Sequence, residues 1–139
     1  MTKITREYEP SIIDSLKDNF VEDGSYSRDI MMAEFKLSMR YYKDDILVLV
    51  GRDGESVVGH LIAFRPQNRS YVMLDQVVNR VVDPKFAKEG IGLLIDWCKE
   101  IGATELRGET ERHSVAEKCM RHWEFKEHGV VLSRKIDND

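Results

Sequence analysis

The feature that most constrains the fold of this chain is an Asp53-Gly54 pair between two apolar segments, residues 46–50 and 57–64. An Asp-Gly pair favours a tight turn, because glycine adopts the positive φ that hairpin turns require. The two segments are therefore predicted to be neighbouring antiparallel strands. This hairpin places a β-sheet at the centre of the predicted fold.

Apolar periodicity and turn residues divide the rest of the chain into further strands and helices. The predicted strands are residues 3–7, 46–50, 57–64, 71–82, 105–109 and 125–136. The predicted helices are about residues 10–24, 29–42, 90–101 and 114–123. The order β-α-α-β-β-β-α-β-α-β predicts an α+β fold, with one mixed sheet and helices on both of its faces.

Length and composition fit a single domain, residues 1–139, and argue against one class of partner. The apolar fraction of 42% is sufficient for a core. Acidic side chains outnumber basic ones by 25 to 21, and the net charge of −4 argues against binding to nucleic acid. Residues 1–30 carry four basic and seven acidic side chains, so most of the net charge lies there.

The cysteine, histidine and apolar patterns predict a protein without a metal site, a disulfide or a membrane span. Cys98 and Cys119 form no C-x-x-C pair, and the four histidines show no H-E-x-x-H or related spacing. No segment approaches the roughly 18 apolar residues of a membrane span, and no apolar signal stretch follows Met1. We therefore expect a cytoplasmic protein with both thiols free.

The segment between the long strand and the third predicted helix is the best candidate for chemistry. Gly90 and Gly92 lie where this helix is predicted to begin. Glycines at a helix start let backbone N–H groups approach an anion, and the helix dipole adds partial positive charge. The alternative is that they only allow a tight turn and close packing of helix on sheet. The spacing matches neither a P-loop nor a dinucleotide-binding fingerprint.

A wider pattern surrounds these glycines. Val82-x-Pro84-x-Phe86 precedes them, and a helix, a strand and a helix ending at Trp123-Glu124-Phe125 follow. The pattern resembles the GNAT acetyltransferase superfamily, in its motifs between residues 82 and 125 and in architecture over essentially the whole chain. The resemblance implies an enzyme that transfers an acetyl or other acyl group from acyl-CoA to an amine.

The resemblance also implies where acetyl-CoA, or another acyl-CoA, would bind. Its pantetheine arm would pair with the strand backbone near Arg80 and Val82, as an added β-strand does. His113 and Met120 stand where the family has an asparagine and a tyrosine on the last helix. The backbone amides expected to hold the pyrophosphate are those of Ala87, Lys88, Glu89, Gly90, Ile91 and Gly92.

The chain departs from the family at positions that serve binding and reaction. Ala87 replaces an arginine or glutamine, and Glu89 brings negative charge toward the expected anion site. Met120 replaces a tyrosine that commonly protonates the departing thiolate, and a thioether has no proton to donate. Asp75 is the carboxylate of the strand over 71–82 and the candidate base. The alternative for Asp75 is a solvated strand face or a pairing with Arg80.

The acceptor and the oligomeric state follow from the family only by analogy. The acidic first segment suggests a cationic amine, either a small molecule such as a polyamine, or a lysine or N-terminus of a protein. An exposed edge strand would allow a homodimer. Two other functions stay open: a GNAT-shaped interaction module without catalysis, and a sensor that binds CoA without turnover.

Overall fold

The computed structural model describes residues 2–20, 27–80, 84–109 and 113–129, together with Leu132 and Arg134. The chain divides into two compact units, Met1–Glu109 and Thr110–Asp139. Within the described residues, the first unit contains a β-sheet and three α-helices, and the second contains one α-helix. A single continuous domain, expected from length, stays a prediction.

The first unit is organised around a mixed sheet in the order β1-β2-β3-β4-β5. Neighbouring strands from β1 to β4 are antiparallel, whereas β5 is parallel to β4. The strands are β1 (Thr2–Arg6), β2 (Ile46–Asp53), β3 (Ser56–Phe64), β4 (Tyr71–Asn79) and β5 (Glu105–Gly108). A parallel pair needs a crossover connection, and a helix supplies it here between β4 and β5.

Among the described residues, the helices agree in number and order with the prediction, but the first is much shorter than the predicted residues 10–24, since it ends at Ser15 and Phe20 is extended. They are α1 (Ile12–Ser15), α2 (Arg28–Tyr41), α3 (Pro84–Glu100) and, in the second unit, α4 (His113–His122). Ser27 caps α2, because its Oγ accepts a hydrogen bond from the Ile30 amide at 3.2 Å. In the described part of the chain, no helix has the length and apolarity needed to cross a bilayer.

The predicted hairpin between β2 and β3 is confirmed. Asp53 pairs with Ser56, and Gly54 in the turn between them has φ 62°. That left-handed conformation is easy for glycine and unfavourable for residues with a Cβ. The Asp-Gly pair therefore fixes where β2 ends and β3 returns.

Alternation along β2 creates a core on each face of the sheet. Val48 and Val50 face α1 and α2, whereas Leu47 and Leu49 face α3. The first core is completed by Ile13, Leu16, Phe20, Met31, Met32, Phe35, Met39, Ile46 and Ile62. The second core is completed by Leu61, Ala63, Val72, Leu94, Trp97 and Cys98. The α+β prediction of a mixed sheet with helices on both faces is confirmed.

The predicted start of the third helix is wrong, since α3 begins at Pro84 and not at Gly90. Proline is favoured in the first helical turn, because its φ is preset and it has no N–H to leave unpaired. Lysine, alanine and glutamate at positions 85–89 are good helix formers. These residues extend the helix, and each glycine inside it costs only about 1 kcal/mol.

Two predicted strand ends also differ from the structure. β4 ends at Asn79, and residues 81 and 82 of the predicted strand over 71–82 lie outside the described residues. Residues 125–129 form no strand, so the predicted closing strand over 125–136 does not begin there. Apart from Leu132 and Arg134, the remainder of that predicted strand lies outside the described residues.

Candidate active site

Strand β4 continues past β5 and leaves part of its edge uncovered. The β4–β5 pairing runs from Tyr71 with Glu105 to Leu74 with Gly108. On its other side, β4 stays paired with β3 as far as Asn79. Within the described chain, residues 75–79 therefore have a neighbouring strand on one side only. Such an edge can accept an extended ligand in the manner of an additional strand.

The backbone of β4 alternates between its covered and its open side. The Arg80 amide donates a hydrogen bond to the Val58 carbonyl at 2.9 Å, so Arg80 faces β3. In an antiparallel ladder these directions alternate, and the N–H and C=O of Val77 consequently face the open side. The Arg80 amide, one of the predicted pantetheine contacts, is thus already bonded to β3. Val82, the other predicted contact, lies outside the described residues. Val77 is the better candidate.

Asp75 lies in a β-bulge at the start of this open edge. Ile62 pairs with Gln76 and the adjacent Ala63 pairs with Leu74, so Asp75 has no opposite residue in β3. A bulge bends the strand and re-aims its side chains. Asp75 is exposed and follows the last residue of β4 that β5 covers. The candidate base therefore stands beside the open edge, while its catalytic role stays a prediction.

Gln76 and His60 are polar side chains on the face of the sheet toward α1 and α2. Gln76 Nε2 lies 3.8 Å from Met31 Sδ on α2. His60 is only 4% exposed, and its ring centroid lies 5.2 Å from that of Phe20. Neither imidazole nitrogen has a hydrogen-bond partner among the described residues. Burial, and secondarily the positive charge of Arg80, lower the pKa of His60 to about 4.

The first turn of α3 is anchored on the sheet by Phe86. Gly51 of β2 pairs with Gly59 of β3, and both lie under the Phe86 ring. A Cβ at Gly51 would overlap the ring, and one at Gly59 would lie 2.5 Å from the Val78 carbonyl oxygen. Sequence reasoning missed this pair, although the two glycines flank the same hairpin turn. Because they lack side chains, the Phe86 ring can lie directly on the sheet, and this packing holds the first turn of α3 in place.

The predicted pyrophosphate-binding residues all lie within α3. Amides in the first helical turn have no acceptor inside the helix, which is the situation of Lys85 and Phe86. From Lys88 onward, each helical amide can bond to the carbonyl four residues earlier. Lys88, Glu89 and Gly92 are exposed, whereas Ala87, Gly90 and Ile91 are partly buried.

Gly90 faces the far edge of the sheet rather than the open edge of β4. A Cβ added to Gly90 would lie 3.8 Å from Ile4 Cδ1 on β1. This is an ordinary packing distance. For Gly90, the alternative interpretation of close helix-on-sheet packing therefore has support, and binding through its amide stays a prediction.

The second unit contains the two candidate residues of the last helix. His113 is the first residue of α4, and Met120 lies two residues from its end with 46% of its surface exposed. Glu124 follows α4 with φ 59°, a conformation that glycine adopts more easily. Glu124 thus adopts a backbone conformation that favours glycine.

No protein-family model matches the sequence, and no curated protein matches it. Solved structures match along nearly its whole length. Glucosamine-6-phosphate N-acetyltransferase from Arabidopsis thaliana is 20% identical over 99% of both chains, with a TM-score of 0.64. The aminoglycoside N-acetyltransferase AAC(6')-Iy, in complex with a CoA bisubstrate analogue, is 14% identical over 99% of both chains, with a TM-score of 0.73.

A third match is a protein of a different kind. A transcriptional regulator from Bacillus halodurans C-125 is 14% identical, covers 98% of this chain and 100% of its own, and has a TM-score of 0.70. At such identities a structural likeness establishes the fold alone. The chain has the fold of the GNAT acetyltransferases, as the sequence motifs predicted.

Proposed function

We propose that the protein is an N-acyltransferase that uses acyl-CoA and acts on an amine. The observation that supports this most is the open edge of β4, which presents the backbone of Val77 directly after the Asp75 bulge. An extended pantetheine arm fits such an edge as an added strand. AAC(6')-Iy, which shares the fold, is described in complexes with CoA and with a CoA analogue.

The residues at the end of β4 suit the pantetheine arm of acyl-CoA, and those at the start of α3 suit its pyrophosphate. Val77 offers one N–H and one C=O to a pantetheine amide. Lys85 and Phe86 offer first-turn amides, and the helix dipole adds partial positive charge toward a pyrophosphate. Lys88 is exposed one turn further on and adds a cationic side chain, while the exposed Glu89 is screened by solvent.

Asp75 is the residue that would accept the proton of the acceptor amine. When bound, acyl-CoA supplies an acyl thioester that an uncharged amine can attack. An amine that arrives as an ammonium must lose a proton first, and Asp75 would accept it directly or through a water molecule. Met120 has no proton to give to a leaving thiolate, so solvent would protonate it. A thiolate near its ordinary pKa leaves without that help.

The proposed acceptor is a cationic amine. Residues 1–30 carry a net charge of −3, and some of that charge is neutralised locally. Glu7 pairs with Arg52, and Asp14 pairs with Lys36. The exposed Glu9 and Asp18 lie in the same segment, and carboxylates of this kind attract cations at moderate ionic strength.

Calorimetric titration with acetyl-CoA and with CoA tests the binding site directly. Val77→Pro removes an N–H that faces the open edge without removing a hydrogen bond to β3, and binding should weaken at least tenfold. Val77→Ala keeps the N–H and should bind as the wild type does. Equal binding of acetyl-CoA by the proline and alanine variants would contradict the proposed pairing.

Turnover separates the three functions that the sequence leaves open. CoA release with a polyamine but not with an anionic amine would support a transferase with a cationic acceptor. Tight binding of CoA without thiol release over hours would indicate the sensor. No binding up to millimolar acetyl-CoA would overturn the proposal and indicate the interaction module.

A further inference from the structure

Helix α2 is apolar on two opposite faces. Its inner face buries Met31, Phe35 and Met39 in the core. Its outer face carries Ile30, Leu37 and Tyr41, which are 54%, 54% and 67% exposed. At 100° per residue, these three side chains fall within about 40° of one another, roughly opposite the inner face. A helix that only covered a core would carry polar residues there.

Two oppositely charged residues lie on one flank of this outer face. Asp29 and Arg40 line the same open groove, of about 590 Å³, together with Leu37 and Lys36. Lys36 is neutralised by Asp14, whereas neither Asp29 nor Arg40 forms an ion pair within the described part of the chain. From residue 29 to residue 40 the helix rises about 16 Å, too far for the two to pair with each other.

The outer face is complementary to itself under a two-fold rotation. A two-fold axis that passes between the two α2 helices, perpendicular to both at the level of residue 35, would place Ile30 of one copy against Tyr41 of the partner subunit. The same rotation would bring Arg40 within about 3 Å, measured along the helix, of the level of the partner's Asp29. Each contact would occur twice, and the two helix dipoles would oppose one another favourably.

We propose that the protein forms a homodimer through antiparallel packing of α2 on α2. Unpaired charges of opposite sign at the two ends of one helix face fit a second copy of that face. The edge strand β1 is a weaker candidate, because Lys3 and Arg6 place charge on the edge that would have to pair. One helix face buries less than the roughly 1,200 Å² of a standard interface, so we expect micromolar affinity.

Sedimentation equilibrium between about 5 and 500 µM protein tests the dimer. Leu37→Glu places a charge at the centre of the outer face and should weaken the dimer at least tenfold. The matched control is Ile95→Glu on α3, which alters a side chain 40% exposed on another helix and should leave dimerisation unchanged. Circular dichroism should show both variants folded, since neither side chain belongs to the core.

Charge reversal decides whether the occupant is a second copy. Asp29→Arg and Arg40→Asp should each weaken the dimer, and the double variant should regain affinity to within about threefold. Such a rescue requires that residue 29 of one copy meets residue 40 of the other. A monomer at 500 µM, an equal effect of Ile95→Glu, or a double variant no better than the single ones would each overturn the proposal.

Discussion

Gly51 and Gly59 face each other across the β2–β3 hairpin, and together they form the surface on which the Phe86 ring lies. This contact joins the sheet to the first turn of the helix that follows β4. The position of that turn is therefore set by residues of two strands other than β4.

Replacing Gly51 by alanine should destabilise the first unit. The added Cβ overlaps the Phe86 ring, and overpacking of this kind costs about 1–3 kcal/mol. Urea unfolding measures the loss, and titration with acetyl-CoA should show weaker binding, since the first turn of α3 is displaced.

Gly92→Ala is the matched control for Gly51→Ala. Gly92 lies within α3 with open space around it, so alanine should stabilise the protein by about 0.5–1 kcal/mol. Phe86→Ala combined with Gly51→Ala should cost less than the sum of the two changes. Additive costs would show that the ring and Gly51 do not meet.

His60 should make the protein sensitive to mild acid. Its pKa falls to about 4 in the folded state, below the ordinary 6.5, because burial disfavours the charged imidazole. The unfolded chain therefore takes up the proton first, and stability that is complete above pH 6.5 declines as the pH falls to about 4. The loss amounts to about 3 kcal/mol.

Urea unfolding at several pH values checks this sensitivity. His60→Leu removes the titrating group and leaves no polar partner behind, since neither imidazole nitrogen is hydrogen-bonded within the described residues. The variant should lack most of the difference in stability between pH 7 and pH 4. If wild type and variant decline in parallel, carboxylates elsewhere account for the acid sensitivity.

Replacing Glu124 by glycine should stabilise the protein. Its φ of 59° costs a residue with a Cβ about 1 kcal/mol, and glycine adopts it without strain. Thermal unfolding followed by circular dichroism should show a higher midpoint for Glu124→Gly. Glu117→Gly, inside α4, is the control and should lower the midpoint, because glycine weakens a helix interior.

Asp75→Asn should separate binding from reaction. The amide keeps the size of the side chain but cannot accept a proton from the acceptor. Turnover at saturating acetyl-CoA should fall at least 100-fold, while the dissociation constant of acetyl-CoA stays within about threefold. Unchanged turnover would favour the alternative for Asp75, a charged residue on a solvated strand face or one paired with Arg80.

Local signals in the sequence predicted the elements well. The Asp53-Gly54 turn and the strands on either side of it depend on neighbouring residues only. Helix α2 was predicted over 29–42 and spans Arg28–Tyr41, because its apolar spacing is set by its own inner face. The order of elements then left few alternatives for the sheet.

The site could be predicted only in part, because it depends on distant residues. The space for Phe86 is provided by Gly51 and Gly59, which belong to other strands, and no local pattern links them. The open edge depends on where β5 stops pairing with β4, and Val77 was missed for that reason. The predicted helix start at Gly90 is wrong, because Pro84 is the stronger signal for a helix start.

The connection between the first two strands has a consequence for how the chain assembles. Short turns join β2, β3 and β4, whereas residues 7–45 separate β1 from its partner β2. Closing a long segment costs more chain entropy than closing a short turn, and contacts distant in sequence form slowly. We expect β1 to enter a sheet that has already formed and to open first. The Thr5 amide, which faces β2, should then exchange with solvent sooner than the Leu49 amide, which faces β3 within the hairpin.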